Sequence, residues 1–311
     1  MTGVGQAAAR AALHPMRVAV IGAGNMGGAM VARLCDGGVP VVACDTDPPR
    51  QQQALSAGAS LADTPALAAA MLGDEGLLIV CVVDADQSHA VLFGPHGAAG
   101  PMRPGQTVML CPTMAPQDTE ALAAALSGRG IGCIDAPMSG GPARARDGSM
   151  SLMLAAPNAL LTRHQALLAR LSSRRFVVSE RVGDGARTKL VNNLLAGINL
   201  VGAAEVMALA ERLGLDLAAT LDVIEQSSGQ SWIGSDRMRR AIAGDFEPRA
   251  HVTLLEKDTR LAVEAAAAAG FDGPLGARAA AVFAQAHAAG LADLDDAALL
   301  TLLRARPPQS H

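Results

Sequence analysis

A glycine motif that follows an apolar run constrains the fold of this chain more than any other feature. Residues 18–30 read VAVIGAGNMGGAM, so a short β-like run leads into Gly22-x-Gly24-x-x-Gly27 and then into a helical segment. A strand, a glycine turn and a helix in this order open the βαβ unit that binds a dinucleotide. The motif therefore predicts that a dinucleotide-binding domain begins near residue 17.

Apolar runs and helical stretches alternate through the first half of the chain. Strands buried on both faces of a parallel sheet are continuous apolar runs, so the alternation predicts a doubly wound Rossmann domain of the α/β class. The candidate strands are Arg17–Ile21, Pro40–Cys44, Leu77–Val83, Thr107–Cys111, Ile131–Asp135, Ser151–Ala155 and Arg175–Val178. The candidate helices between them include Ala66–Leu72, Asp118–Leu126 and Ala159–Leu171.

The pattern changes near residue 180. Apolar residues recur at helical spacing from Gly185 to Leu213, which predicts an interdomain helix about 40 Å long at roughly 1.5 Å per residue. Further helices broken by glycines follow, without a convincing strand pattern, and indicate a second, all-helical domain. The predicted organisation is a flexible tail over 1–16, a nucleotide-binding domain over 17–180, a helical substrate and dimerisation domain over 181–303, and a tail over 304–311. Met16 directly precedes the first strand and is an alternative start to Met1.

Composition narrows the classes of partner. Hydrophobic residues make up 50% and charged residues 17% of the chain, as in globular proteins, and the net charge of −4 argues against a nucleic-acid-binding surface. The five cysteines form no C-x-x-C pair and the seven histidines no metal-ligand spacing. Residues 190–210 are apolar but carry three asparagines and Glu205, too many polar groups for a membrane span. We expect a cytoplasmic protein without a metal.

The glycine motif and the end of the second strand predict the cofactor. Gly22 permits a tight turn, Gly24 lets the backbone approach a pyrophosphate, and Gly27 lets helix and strand pack closely. The positive end of the helix, which starts at Asn25 and Met26, then faces the phosphates. Asp45, 23 residues after Gly22, can accept hydrogen bonds from ribose hydroxyls and repels a 2′-phosphate, so NAD is preferred to NADP. The nearby Arg50 argues in the opposite direction.

A second motif, VGDGARTKLVNN at residues 182–193, supplies a group for proton transfer. Lys189 and Asn193 are four residues apart and share one face of a helix. A single lysine is usually solvated or paired with a carboxylate, but uncharged polar residues in an apolar helix need partners. With the glycine motif, this lysine indicates an enzyme that moves a hydride and a proton.

Four segments in this order resemble the β-hydroxyacid dehydrogenase family, which includes 3-hydroxyisobutyrate dehydrogenase, tartronate semialdehyde reductase and L-threonate dehydrogenase. They are GAGNMGGAM at 22–30, DAPMSGGPARARDGSM at 135–150, GDGARTKLVNN at 183–193 and EKDTRLA at 256–262. The resemblance extends over about residues 17–300. Residues 194–216 and the SGQSW segment at 228–232 look closest to the threonate dehydrogenase-like branch.

The resemblance implies a role for each matching residue. Lys189 would be the general acid/base, and Asn193 would bind the substrate and position Lys189. The substrate carboxylate would be held by Ser139, Gly140 and Gly141, unless these residues form only a loop. The cofactor would contact Val82 and Val83 at the end of one predicted strand, Thr113 after the next and Lys257 of the helical domain, in addition to the Asp45 carboxylate described above. Lys257 and Asp258 could instead be a surface pair, and Trp232 either a core ring or a wall of the substrate pocket.

The family implies an NAD-dependent enzyme that interconverts a small hydroxy acid, threonate-like or 3-hydroxyisobutyrate-like, and its keto or aldehyde acid, in a homodimer or homotetramer. Two alternatives stay open. One is an imine reductase of the same fold, although such relatives usually carry Asp or Tyr where this chain has Lys189. The other is a non-catalytic dinucleotide-sensing protein, against which the joint presence of Lys189, Asn193 and the Ser139–Gly141 segment argues.

Overall fold

The structure, a computed structural model, describes residues 18–305. These residues form two compact units, of which the first ends at Thr188 and the second begins at Lys189. The predicted tail over 1–16, with the choice between Met1 and Met16 as the start, lies outside the described residues. So do Arg17, at the beginning of the first predicted strand, and residues 306–311 of the predicted C-terminal tail.

The first unit is built on a nine-stranded sheet with the order β3-β2-β1-β4-β5-β6-β8-β7, and β9 pairs with β8. Its strands are β1 Val18–Ile21, β2 Val41–Cys44, β3 Ser60–Leu61, β4 Leu77–Val80, β5 Thr107–Leu110, β6 Gly132–Asp135, β7 Met138–Ser139, β8 Ser151–Ala155 and β9 Arg174–Ser179. Strands β1 to β6 are all parallel, which confirms the predicted doubly wound domain.

The last part of the sheet departs from the all-parallel prediction. Strand β8 runs antiparallel to β6 and β7, with Met138 opposite Leu152 and Ser139 opposite Ser151. Parallel pairing of neighbours needs a long crossover, whereas here the chain turns back on β7 after one short helix. Strand β9 is also not a buried run, since Phe176 and Val177 are each more than half exposed.

Eight helices of the first unit flank the sheet. They are α1 Asn25–Asp36, α2 Pro48–Ser56, α3 Pro65–Ala70, α4 Ala85–Phe93, α5 Pro116–Ser127, α6 Gly141–Asp147, α7 Asn158–Arg163 and α8 Gln165–Leu171. Two buried clusters, one on each face, contain alternate residues of the central strands, as Val18 and Val20 against Ala19 and Ile21 show. The single helix predicted over Ala159–Leu171 is two helices, because His164 has non-helical dihedral angles.

The second unit is helical. Its elements are the long helix α9 Asp184–Arg212, which begins in the first unit, then α10 Leu217–Glu225, α11 Trp232–Ile242, α12 Val252–Ala268, α13 Gly276–Ala286, a π-helical turn His287–Leu291, a 3₁₀ turn Asp296–Ala298 and α14 Leu299–Arg304. Between Lys189 and Ala305 no strand forms, and a single bridge joins His251 to Asp295. Helix α9 is long and apolar enough to cross a membrane, but a core helix passes the same test, and α9 buries Leu200, Ala204 and Met207 in the core of this unit.

Candidate active site

The glycine loop after β1 has the shape of a phosphate cradle. Gly22 has a φ of +90°, and a Cβ on Gly27 would lie 1.9 Å from the Gly22 carbonyl oxygen. Gly24 differs, because the nearest atom to its Cβ position is Arg50 Nη1 at 3.4 Å. Gly24 is also the N-cap of α1 and has no side chain to accept from the first-turn N–H groups. The space beside Gly24 and these free donors fit a dinucleotide pyrophosphate.

A carboxylate and a guanidinium both lie at this loop. Asp45 Oδ2 accepts from the Ala23 amide at 2.6 Å, and Oδ1 accepts from the Asp47 amide at 2.9 Å. Each carboxylate oxygen has a second lone pair, so Asp45 retains acceptors for ribose hydroxyls. The Arg50 side chain is half exposed and pairs with Asp47 at 3.2 Å. Asp45 thus binds the loop itself, a contact that the sequence did not indicate.

The other predicted cofactor residues of the first unit follow the carboxyl ends of β4 and β5. Strand β4 ends at Val80, so Val82 and Val83 lie beyond it and not within the strand predicted to reach Val83. The Val82 side chain is 3.3 Å from the Cβ position of Gly22, and Val83 is 48% exposed. Thr113 is half-buried after β5. In the first turn of α1, Asn25 is exposed and Met26 packs against the core.

The predicted carboxylate-binding segment is the end of a strand that leads into a helix. Ser139 ends β7 and is half-buried, Gly140 is the N-cap of α6, and Gly141 is its first residue. Apart from its chain neighbours and the backbone of its own helix, no described atom lies within 4 Å of the Cβ position of Gly141. Ser139 thus immediately precedes the backbone N–H groups at the start of a helix, a combination that is suitable for a carboxylate.

Lys189 and Asn193 lie in a buried polar cluster of the second unit. Their exposed fractions are 8% and 7%. Asn193 Nδ2 donates to Asp258 Oδ2 at 2.6 Å, and Asn193 Oδ1 accepts from Asn192 Nδ2 at 2.9 Å. These two contacts fix the orientation of the Asn193 amide and leave one of its N–H groups for a ligand.

Lys257 and Asp258 are not the exposed surface pair that the sequence allowed. Asp258 is 6% exposed, and Lys257 Nζ lies 2.9 Å from Asp258 Oδ1. Lys257 and Asp258 therefore form a largely buried ion pair. The sequence placed Asp258 beside Lys257 but did not reveal its bond to Asn193.

The electrostatics of the cluster favour an uncharged Lys189. Burial lowers the pKa of Lys189 below its usual value, since a desolvated ammonium loses its hydration. The positive charge of Lys257 lowers this pKa further, and the negative charge of Asp258 opposes both effects. A lysine with a lowered pKa can accept a proton closer to neutral pH, as a general base must.

Trp232 lies elsewhere in the second unit. It is 45% exposed, its ring lies 5.9 Å from the guanidinium of Arg237, and it lines a cavity of about 340 Å³. Near it, the Cβ position of Gly234 is 3.0 Å from Ala203, which lies about 21 Å beyond Lys189 along α9 at 1.5 Å per residue. Trp232 is therefore a pocket wall and not a core ring, but its cavity is not lined by Lys189 or Asn193.

Comparisons with known proteins agree with this geometry. The family model described as the NAD binding domain of 6-phosphogluconate dehydrogenase matches residues 17–179. The model described as NAD-binding of NADP-dependent 3-hydroxyisobutyrate dehydrogenase matches residues 183–303. An L-threonate dehydrogenase of Cupriavidus necator is 36% identical over 92% of this chain and 95% of its own length.

Two solved structures are similar over almost their whole length. The 3-hydroxyisobutyrate dehydrogenase of Salmonella typhimurium is 33% identical with a TM-score of 0.86, covering 92% of this chain and 99% of that one. The 3-hydroxyisobutyrate dehydrogenase of Mycobacterium tuberculosis, solved with L-serine, is 28% identical with a TM-score of 0.82, covering 93% of this chain and 99% of that one. The N-terminal Rossmann domain followed by a helical domain is thus common to all three.

Proposed function

Because the chain belongs to the β-hydroxyacid dehydrogenase family of NAD(P)-binding oxidoreductases, we propose that it interconverts a small hydroxy acid and its keto or aldehyde acid. The observation that carries this proposal is the buried Lys189, whose pKa is lowered, one helical turn before an oriented Asn193. A threonate-like acid is the preferred substrate, and a 3-hydroxyisobutyrate-like acid is the second choice. The order follows the 36% identity to an L-threonate dehydrogenase.

Lys189 is the proposed general acid/base. In the oxidative direction the uncharged amine takes the proton of the substrate hydroxyl, and in reduction the ammonium returns it. The free N–H of Asn193 holds the substrate oxygen within reach of this amine. Bound nicotinamide supplies the hydride acceptor or donor. A mechanism of this kind needs an uncharged lysine for oxidation, in line with the lowered pKa of Lys189.

Ser139, Gly140 and Gly141 are the proposed carboxylate site. A hydroxyl and backbone N–H groups bind a carboxylate without requiring a buried cation. The relatives named for threonate and 3-hydroxyisobutyrate act on carboxylic acids by name, and the Mycobacterium tuberculosis relative was solved with serine, another 3-hydroxy acid. Lys257 is the proposed cofactor contact of the helical unit. We leave Trp232 out of the substrate site of its own chain, because its cavity is separate from Lys189.

We propose that the enzyme prefers NAD to NADP. Asp45 already accepts two backbone hydrogen bonds, and its negative charge opposes a 2′-phosphate at the same place. Arg50 weakens the preference, because its guanidinium lies 3.4 Å from the Cβ position of Gly24. Asp45 and Arg50 together predict a modest preference for NAD rather than strict exclusion of NADP.

The chain is proposed to form a homodimer or homotetramer in the cytoplasm, with neither nucleic acid nor membrane as a partner. An exposed apolar stripe on α9, continued by Leu213 directly after the helix, would be covered by a second copy, and its α9 residues are Val191, Leu195, Val206 and Leu209. Five free cysteines fit a reducing compartment. Leu195→Arg with Leu209→Arg should reduce the mass measured by light scattering, and an unchanged mass would exclude the stripe as the interface.

A substrate screen tests the function. Purified enzyme is incubated with L-threonate, D-threonate, 3-hydroxyisobutyrate, D-glycerate or serine, each with NAD⁺ and with NADP⁺, and NADH formation is followed by absorbance. One strongly preferred acid with NAD⁺ supports the proposal. Activity with cyclic imines alone favours an imine reductase, and NADH binding without turnover of any substrate favours a sensor.

A further inference from the structure

A buried carboxylate at the end of β6 has no part in the proposed chemistry. Asp135 is 2% exposed, and its Oδ2 accepts from the amides of Gly183 at 2.9 Å and Ala186 at 3.0 Å. We propose that Asp135 is a positioning residue that holds the first turn of α9 and thereby sets the place of Lys189. This inference rests on the proposed role of Lys189 as the acid/base.

The start of α9 requires an acceptor from outside the helix. The first N–H groups of a helix have no partner within it, and a neighbouring side chain usually caps them. The acid of this turn, Asp184, is engaged elsewhere, because it accepts from Ser179 Oγ at 2.7 Å and pairs with Arg181 at 2.7 Å. Asp135, which precedes Gly183 by 48 residues, supplies the missing acceptor.

The contact is close enough to fix the helix in place. A Cβ on Gly185 would lie 2.8 Å from Asp135 Cγ and 2.8 Å from Oδ2, so only glycine lets the carboxylate lie against the helix backbone. Ala186 precedes Lys189 by three residues, which is less than one turn. A shift of the first turn away from Asp135 therefore displaces the next turn and its lysine.

Asp135 also joins two of the sequence motifs. It ends β6, where it pairs with Ala155, and the chain continues through Ala136 and Pro137 to Ser139. The same strand end thus leads to the proposed carboxylate site and binds the start of the lysine helix. Strands β4 and β5 lie between β6 and β1, which carries the glycine loop, so the loss of Asp135 should change turnover and leave cofactor binding intact.

The charge of Asp135 makes this contact dependent on pH. Burial raises the pKa of Asp135 to about 6, and the amides of Ala186, Gly183 and Gly185 oppose this rise. Asp184 on α9 raises the same pKa, and Cys111 and Cys133 face Asp135 as uncharged thiols with raised pKa values. Glu120 and Arg187 form a further pair at this turn, at 2.7 Å. Asp135 is thus ionised above about pH 6 and loses its charge as the pH falls through that value.

Asp135→Asn tests the inference, with Glu120→Gln as the matched control. Asn keeps one acceptor oxygen but carries no charge, and its NH2 group cannot accept, so the cap on the amides of Gly183 and Ala186 is weakened, whereas Glu120 contributes an ion pair that is about 40% exposed. We expect Asp135→Asn to lower kcat by about tenfold to a hundredfold, the scale on which small misplacements act, and to leave the Kd for NADH within about twofold. A change of kcat near pH 6, where Asp135 gains its proton, should be absent in Asp135→Asn and persist in Glu120→Gln.

Hydrogen exchange gives a second readout that does not depend on activity. Amides 183–190 should exchange faster in Asp135→Asn than in the wild type and be unchanged in Glu120→Gln. In wild-type protein alone, which serves if Asp135→Asn does not fold, their protection should rise below about pH 6 after correction for intrinsic rates, because a carboxyl whose pKa is raised by the closed helix favours the closed form once it is protonated. Constant protection between pH 5 and 8, or kcat of Asp135→Asn within about twofold of wild type, would overturn the inference. If the enzyme turns over no hydroxy acid, hydrogen exchange still tests the contact between Asp135 and the first turn of α9. The failure of the proposed function is then distinguished from a failure of this inference.

Discussion

Lys189→Met separates the chemistry of the proposed site from its packing. Met has a similar length, so it fills the buried space at this position of α9, where Lys189 is 8% exposed, but it can carry no proton. General acid/base groups contribute about 10²- to 10⁴-fold to turnover, which corresponds to about 2.7–5.4 kcal/mol of the activation barrier. We expect kcat to fall by this factor while the Kd for NADH stays near that of the wild type.

The same variant should not lose stability. Burial lowers the pKa of Lys189 in the folded protein, so between that lowered pKa and about 10.4 only the unfolded chain holds the proton, and below it the folded protein carries a desolvated ammonium at a constant free-energy cost. Lys189 therefore lowers the free energy of unfolding throughout the neutral range. Replacing it by an apolar side chain of similar length should leave the melting temperature equal or raise it, as expected of a residue retained for function.

The assay measures kcat and KM in both directions between pH 6 and 10, with melting temperatures at each pH. Arg260→Met is the control, because Arg260 is also a cation of the helical unit but is 58% exposed and pairs with Glu264. It should keep wild-type kinetics. The reasoning is refuted if Lys189→Met retains kcat within about tenfold of the wild type, or if it loses both activity and several degrees of melting temperature.

Three further predictions concern the nucleotide-binding unit. Gly24→Ala should weaken NADH binding without lowering the melting temperature. Gly27→Ala should lower both the affinity for NADH and the melting temperature, because a Cβ at position 27 would lie 1.9 Å from a carbonyl oxygen. Fluorescence titration and thermal melts distinguish the two variants. Arg50→Ala should raise the ratio of kcat/KM for NAD over NADP, and Asp45→Asn should lower it. Burial lowers the pKa of His164 to about 4, so the contribution of His164 to the unfolding free energy should fall by about 2 kcal/mol between pH 7 and pH 5. In urea unfolding, the stability of the wild type relative to His164→Gln should fall by this amount over the same pH range.

The fold could be predicted because its signals are local. The run Leu77–Val80 is apolar at every position and is buried on both faces, and α9 begins and ends within one residue of the predicted helix. The predictions from sequence were wrong where the direction of a strand depends on the strand with which it pairs. Strand β8 is as apolar as a central parallel strand, but its direction follows from β7, a strand of only two residues that periodicity cannot detect.

The candidate site could be predicted only as far as residues carry recognisable motifs. Lys189 and Asn193 stand out because polar groups in an apolar helix need partners, but the identity of those partners depends on tertiary structure. Asp135 illustrates the limit: an acid at the end of an apolar strand is a signal of a buried charge, yet its partners lie 48 and 51 residues away. Trp232 is a second example: the sequence left it as a core ring or a pocket wall, and in the structure it lines a cavity whose lining includes neither Lys189 nor Asn193.

The pKa values of the two buried groups on which the proposals rest are shifted in opposite directions. Burial lowers the pKa of Lys189 and raises the pKa of Asp135 to about 6, because desolvation penalises whichever form is charged. Oxidation requires an uncharged Lys189, so its rate should rise as the pH passes the pKa of Lys189, and reduction requires the ammonium, so its rate should fall through the same value. Lys189→Met should abolish this dependence, and Asp135→Asn should abolish any change near pH 6, which assigns each change to one residue.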